Sequence, residues 1–166
     1  MEYFIDLGKS MIEKSTHQLV DGFDLTMYVI SDEAIAMVAL PPMGSNSPGM
    51  KQAAADFAKK LVEERNAVAV IAISDTRIAQ QKVKDMETAL LIAQMSIPEA
   101  EAAGLVIKRE AIYCKIETRS QGRMAMCQFY RRENEGNIVL EELKIMPNDF
   151  KSMGRISDFF PQQANA

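Results

Sequence analysis

The loop between residues 44 and 51 has the spacing closest to a phosphate-binding motif in this chain. Gly44 and Gly49 are separated like the glycines of a Walker A loop, and Lys51 follows them. In that motif the lysine directly follows the second glycine, whereas one residue intervenes here, and Pro48 removes a backbone N–H that would cradle phosphate. The spacing therefore favours an ordinary strand-to-helix connection, with anion binding at the helix start as the alternative.

A second group that could do chemistry is the carboxylate of Asp75, which follows the continuously apolar run from Val68 to Ile73. Open α/β sheets bind ligands beyond the carboxyl ends of their strands. Together with the loop at residues 44–51, Asp75 would predict a small enzyme that acts on a phosphate ester or a nucleotide. An aspartate after a strand also serves as the N-cap of the next helix, and we favour that interpretation.

Glu142 and Lys144 alternate on one face of a predicted strand, as a carboxylate and a lysine do in metal-dependent nucleases. Such a site needs another acid on an adjacent strand to complete the Mg²⁺ ligands, and the neighbouring strand supplies none. His17, the only histidine, has no acid or cysteine beside it. The sequence thus predicts no metal, no cofactor and no catalytic residue.

The composition indicates one globular domain in solution. The chain has 166 residues, of which 48% are hydrophobic and 25% charged. No apolar run approaches the ~18 residues of a membrane span. The first residues are acidic where a secretory signal would be positive. We therefore expect a cytoplasmic protein that does not contact membranes.

Charge is unevenly distributed along the chain, whose net charge is -4. Residues 1–37 contain seven acids and two bases, whereas residues 108–132 contain seven bases and two acids. A basic segment could bind nucleic acid, which we keep as a third functional alternative. The overall negative charge counts against it, and solvated strand faces commonly carry such charges.

The segment from Glu110 to Ile145 is the most informative about the fold, because three runs with strand-like alternation are joined by two turns that contain glycine. This pattern predicts an antiparallel meander. A four-residue loop at residues 119–122, which we favour, places Cys114 opposite Cys127 on one sheet face. A three-residue loop with a bulge at Gly122 places them on opposite faces. We expect both thiols to be reduced.

The remaining pattern predicts a helix over residues 2–20, a hairpin over 25–40, a helix from Pro48 to Arg65 with Phe57 in its buried stripe, and a strand over 68–73. A helical crossover between the hairpin and that strand implies a parallel pair. Ser96 and Glu99 form a capping box. The fold class is therefore a single α/β (α+β) domain over residues 1–158, with a mixed six-stranded sheet and a mobile tail over 159–166.

The helix around residue 90 carries more apolar surface than one sheet face can cover. Successive helical residues point about 100° apart, so three adjacent apolar residues cannot face one surface. The helix at residues 96–104, the Phe159 and Phe160 tail or a second copy of the chain could cover the rest. We expect the second copy, in a two-fold dimer. The predicted interface comprises Met86, Leu90, Leu91, Ile92 and Met95. The expected function is a self-associating binding or assembly module, with another protein as a possible partner.

Overall fold

The computed structural model describes residues 1–19, 25–39, 48–81, 85–146 and 159–160, and these contain four α-helices and six β-strands. Their order along the chain is α1 (Glu2–Thr16), β1 (Thr26–Ile30), β2 (Ile35–Ala39), α2 (Pro48–Glu64), β3 (Ala69–Gln81), α3 (Met86–Gln94), α4 (Ile97–Ala102), β4 (Val106–Thr118), β5 (Gly122–Arg132) and β6 (Ile138–Met146). The helices pack against one open sheet, so the predicted α+β domain with six strands is confirmed.

The strand order is β2-β1-β3-β4-β5-β6, and every described pair of neighbours is antiparallel. The predicted mixed sheet with a parallel pair is therefore wrong in this detail. β2 and β3 do run in the same direction, as the crossover through α2 requires. They are not neighbours, because β1 lies between them and pairs with both. The hairpin and β3 share one sheet, as predicted.

The first face of the sheet, which we call face A, packs against α1. Ile12 of this helix is buried in a cluster with Ile71, Ile73 and Cys114. Gly8 allows the close approach, since a Cβ atom there would lie 2.4 Å from Cε of Met126. Alternation along a strand then places every second residue of β3, β4 and β5 on this face.

The opposite face, face B, packs against α2 through small residues. Ala54, Ala58 and Val62 are buried against the central strands, and Phe159 and Phe160 are buried in the same cluster. Alanines let α2 lie close to the sheet, and Phe57 then falls beside the contact instead of inside it. The prediction that Phe57 is a core residue is wrong, because its exposed fraction is 53%.

Phe159 and Phe160 are the first two residues of the predicted mobile tail, and the backbone N–H of Phe159 donates to Oε2 of the buried Glu117 over 3.0 Å. The other residues of that tail, 161–166, lie outside the described ranges.

The turn between β4 and β5 decides the cysteine register. Thr118 pairs with Gly122, whose φ of +83° is the left-handed conformation that glycine adopts easily. The loop therefore has three residues, and Cys114 lies opposite Met126 instead of Cys127. The favoured four-residue loop is wrong. Both cysteines are buried, unbridged and on opposite faces of the sheet, in agreement with the expected reduced thiols.

Candidate functional site

The predicted phosphate loop and Asp75 do not form one site. Gly44 lies outside the described residues, and Gly49 is an exposed residue in the first turn of α2, which also includes Lys51. That helix packs on face B. The side chain of Asp75 lies on face A, two residues along β3 from Ile73, which contacts α1.

Asp75 is not a helix cap either. β3 continues past the apolar run to Gln81, in register with β4, so Asp75 lies in the middle of a strand. The predicted strand ended too early because the polar residues that follow Ile73 resemble a junction. The N-cap of α3 is Asp85, which accepts a hydrogen bond from the backbone N–H of Thr88 over 2.7 Å. The capping box of Ser96 and Glu99 at α4 is confirmed.

Asp75 belongs instead to a cluster of polar side chains on face A, which we call the Asp75 cluster and which joins three strands. The hydroxyl of Tyr130 on β5 donates to its Oδ1 over 2.6 Å. Nη2 of Arg132 lies 3.9 Å from its Oδ2. On β4, Glu110 accepts a hydrogen bond from Nε of Arg132 over 3.4 Å. Arg77, opposite Glu110 in the register, completes the cluster.

The Tyr130 hydroxyl in this cluster is held in its protonated form. Burial raises the pKa of Tyr130 well above the ordinary tyrosine value, and the hydrogen bond to Asp75 raises it further. A phenol that must stay protonated next to a carboxylate donates a hydrogen bond well and is a poor general base. The contact therefore positions Asp75 instead of activating a nucleophile.

An open cleft of about 360 Å³ lies over this cluster and is lined by Asp75, Thr76, Arg77, Glu110 and Arg132. Two acids and two bases give it no net charge. Within the described part of the chain, no group of three His, Cys, Asp or Glu side chains is placed to hold a metal ion. The candidates Glu142 and Lys144 contact each other on β6, with Lys144 Nζ 3.1 Å from Glu142 Oε1. His17 is an exposed residue at the end of α1.

Known proteins offer no guide to this cleft. Comparison with protein families, with curated proteins and with solved structures finds no match to this chain. Among the described residues, no helix is both long and apolar enough to cross a membrane.

Most bases of the basic segment at residues 108–132 are paired with acids, of which two lie within the segment and the others outside it. Six of its seven bases lie within ion-pair distance of an acid, and the seventh, Arg119, donates to the side chain of Asn66. The partners are Glu101 for Lys108, Glu141 and Glu142 for Arg109, Glu117 for Lys115 and Arg123, Glu133 for Arg131, and Glu110 for Arg132. None of these acids belongs to residues 1–37, so the pairing reduces the number of unpaired cations in the basic segment and leaves the acidic N-terminal residues as they are.

The fold covers part of the interface predicted around α3 and leaves the rest exposed. Ile92 is buried with Ala100 of α4 and Val106 of β4, so the chain itself covers this residue. Met95 is half-buried against the same cluster. The other three residues of the predicted interface are exposed, namely Met86, Leu90 and Leu91.

A second exposed apolar surface lies at the β2 edge of the sheet and was missed by the sequence reading. Ile35 is 54% exposed and Met37 is 64% exposed, both on face A. Ala36 and Val38 point to the other side and pack against the cluster under α2. Within the described residues, β1 is the only strand that pairs with β2, so the outer edge of β2 has no strand neighbour there.

Proposed function

We propose that this chain is a self-associating, non-enzymatic binding or assembly module in which two copies pair along β2. The observation that carries the proposal is the composition of that edge strand. β2 reads IAMVA and contains neither a charged residue nor a proline. An edge strand of this kind offers unpaired backbone N–H and C=O groups beside apolar side chains, which favours pairing with another strand.

The opposite edge provides an internal comparison. β6 carries Glu141, Glu142 and Lys144, and its pairing with β5 is irregular between Gln128 and Tyr130. Charges and bulges are the features with which proteins protect sheet edges from other strands. β6 carries charges and an irregular pairing that β2 lacks, and this difference supports β2 as the edge that receives a partner.

The apolar surface continues from β2 onto α2. Met50 and Phe57 are exposed on one flank of this helix, beside Leu61, which packs with the face B cluster that also contacts Ala36 and Val38. Crossovers between strands of the same direction are right-handed almost without exception. If the crossover from β2 through α2 to β3 is right-handed, the side of α2 that carries Met50 and Phe57 is the side nearer to β2. A partner at the β2 edge would therefore cover both groups of side chains.

A second copy of this chain can pair with the β2 edge through its own β2, so no other partner is needed. Antiparallel pairing of two β2 strands about a two-fold axis at Met37 places the two methionines opposite each other and Ile35 opposite Ala39 of the partner subunit. The strand is uncharged, so no like charges meet within it. A two-fold contact also closes on itself and does not propagate into a fibre.

The two other candidate functions have less support. An enzyme centred on the residue 44–51 loop and Asp75 would need groups from opposite faces of the sheet in one site. Nucleic-acid binding would need free cations in the basic segment. Most basic side chains of this segment face acids of the same chain. Neither alternative accounts for the exposed apolar edge.

Amide hydrogen exchange at two protein concentrations tests the proposal. Pairing through β2 protects outward-facing amides of residues 35–39, so their exchange slows as the concentration rises and the dimer fills. The peptide that covers α3, residues 86–94, serves as the control and keeps its exchange rate. Concentration-dependent protection confined to α3 would move the interface to that helix. Exchange that does not depend on concentration at either place would rule out self-association.

A further inference from the structure

The cleft over the Asp75 cluster contains charged groups of both signs. These groups differ in how many of their hydrogen-bonding atoms already contact other residues of the chain. Arg132 is fully engaged. Its Nη1 donates to the carbonyl oxygen of Leu19 over 3.0 Å, and Nε donates to Glu110. Nη2 lies 3.5 Å from the Tyr130 hydroxyl and 3.9 Å from Asp75. The donors of Arg132 are therefore occupied, and this side chain forms part of the cleft wall.

Each carboxylate of the cleft keeps one oxygen available. The Tyr130 hydroxyl occupies Oδ1 of Asp75, and Nε of Arg132 contacts Oε1 of Glu110. Oδ2 of Asp75 has only the 3.9 Å approach of Arg132, and Oε2 of Glu110 has no hydrogen bond with the described residues. Both side chains are only partly exposed, at 20% and 28%. Partly desolvated carboxylate oxygens of this kind bind an ammonium group better than fully solvated ones do.

Arg77 provides the complementary group. It lies directly opposite Glu110 in the register, on the same face, yet Glu110 pairs with Arg132 instead. Within the described residues, Arg77 has neither an ion pair nor a side-chain hydrogen bond, and its side chain is exposed at the cleft. A guanidinium with free donors binds a carboxylate in a bidentate manner.

We propose that this cleft binds a small zwitterion, a free α-amino acid, whose carboxylate contacts Arg77 and whose ammonium group lies between Asp75 and Glu110. A phosphate ester fits less well, because two carboxylates would repel its charge. A simple cation leaves Arg77 without a partner. The volume of about 360 Å³ lies at the small end of ligand sites, in agreement with a ligand of this size.

The test is an NMR titration of the full chain with L-alanine, with acetate and methylamine as probes that each carry half of the charge pattern. L-alanine should shift the amide signals of residues 75–77 and 110, and each half probe should bind at least about tenfold more weakly, a loss of ~1.4 kcal/mol. Equal binding of acetate and L-alanine would contradict the zwitterion, and so would the absence of any shift at millimolar L-alanine.

Variants separate the two ends of the ligand. Arg77→Gln and Glu110→Gln should each weaken L-alanine binding about tenfold or more, whereas Arg65→Gln, at an exposed residue after α2, should leave it unchanged. Thermal unfolding of each variant confirms that it is folded, which is expected for Arg77→Gln because this side chain is exposed. If Arg77→Gln folds and binds L-alanine like the wild type, the proposed site is wrong.

Discussion

The hydroxyl of Tyr130 donates to Oδ1 of Asp75 over 2.6 Å, and this bond joins β5 to β3 across the intervening strand β4. Tyr130 is otherwise part of the apolar cluster under α1. The same side chain thus contributes apolar contacts to the core and one hydrogen bond to a charged group at the border of the core.

Replacing Tyr130 with Phe should lower the free energy of unfolding by about 1–3 kcal/mol, because a partly buried carboxylate loses a hydrogen bond and the ring stays in place. Urea denaturation measures the change. Tyr3→Phe is the matched control, since Tyr3 is 68% exposed, and should change stability by less than about 0.5 kcal/mol. Equal effects of the two substitutions would show that the hydroxyl of Tyr130 contributes nothing to stability.

The raised pKa of Tyr130 predicts sensitivity to alkali. In neutral solution the phenol is protonated in both states, and its stabilising contribution is complete. As the pH rises through the ordinary tyrosine value of about 10, the unfolded chain releases this proton first, so the free energy of unfolding falls.

Burial also raises the pKa of Cys114 to about 12 and of Cys127 to about 11, which adds to the same trend. Urea denaturation between pH 8 and the alkaline range should therefore show a steeper loss for the wild type than for Tyr130→Phe, which retains both thiols. Parallel curves for the two proteins would contradict the assignment of this loss to Tyr130.

The pair of Lys115 and Glu117 on face B should be costly to break. Nζ of Lys115 lies 2.7 Å from Oε1 of Glu117, and the two side chains are 8% and 2% exposed. Lys115→Met leaves a buried carboxylate without its nearest cation, and we expect a loss of about 3 kcal/mol in urea denaturation.

The double variant with Lys115→Met and Glu117→Gln tests the reason for that loss. It removes the buried charge and keeps an acceptor for the N–H of Phe159, so it should be more stable than Lys115→Met alone. A double variant that is less stable than the single one would show that the charge at residue 117 is not the cause.

Much of the fold follows from local patterns. The meander of β4 to β6, the crossover helix α2 and the capping box at Ser96 were predicted because alternation, amphipathic period and capping act over a few residues. The length of β3 was not predicted, because the polar residues after Ile73 lie in a strand only through their pairing with β4. The Asp75 cluster also depends on register between three strands, which no spacing in the sequence specifies. Of this cluster, the sequence indicated only Asp75, and it did so because Asp75 follows an apolar strand.

Gly8 should tolerate a side chain poorly. A Cβ atom there would lie 2.4 Å from Cε of Met126 and 3.1 Å from Cδ1 of Ile116, both fully buried. Gly8→Val should therefore destabilise the fold by about 1–3 kcal/mol through overpacking. Ser10→Val places the same β-branched residue at an exposed position of α1 and serves as the control. Comparable unfolding midpoints for the two variants would mean that α1 does not approach the sheet at Gly8.

The most direct test of the dimer is sedimentation equilibrium at micromolar concentrations, with the wild type, Met37→Lys and Met86→Lys. Both methionines are highly exposed, at 64% and 77%, so the two variants differ in position and not in chemistry. Two lysines opposite each other would repel across the β2 pair, whereas Met86 lies on α3. We predict the mass of two chains for the wild type and Met86→Lys, and that of one chain for Met37→Lys. A monomeric wild type, or a dimer that Met86→Lys disrupts and Met37→Lys does not, would contradict assembly through β2.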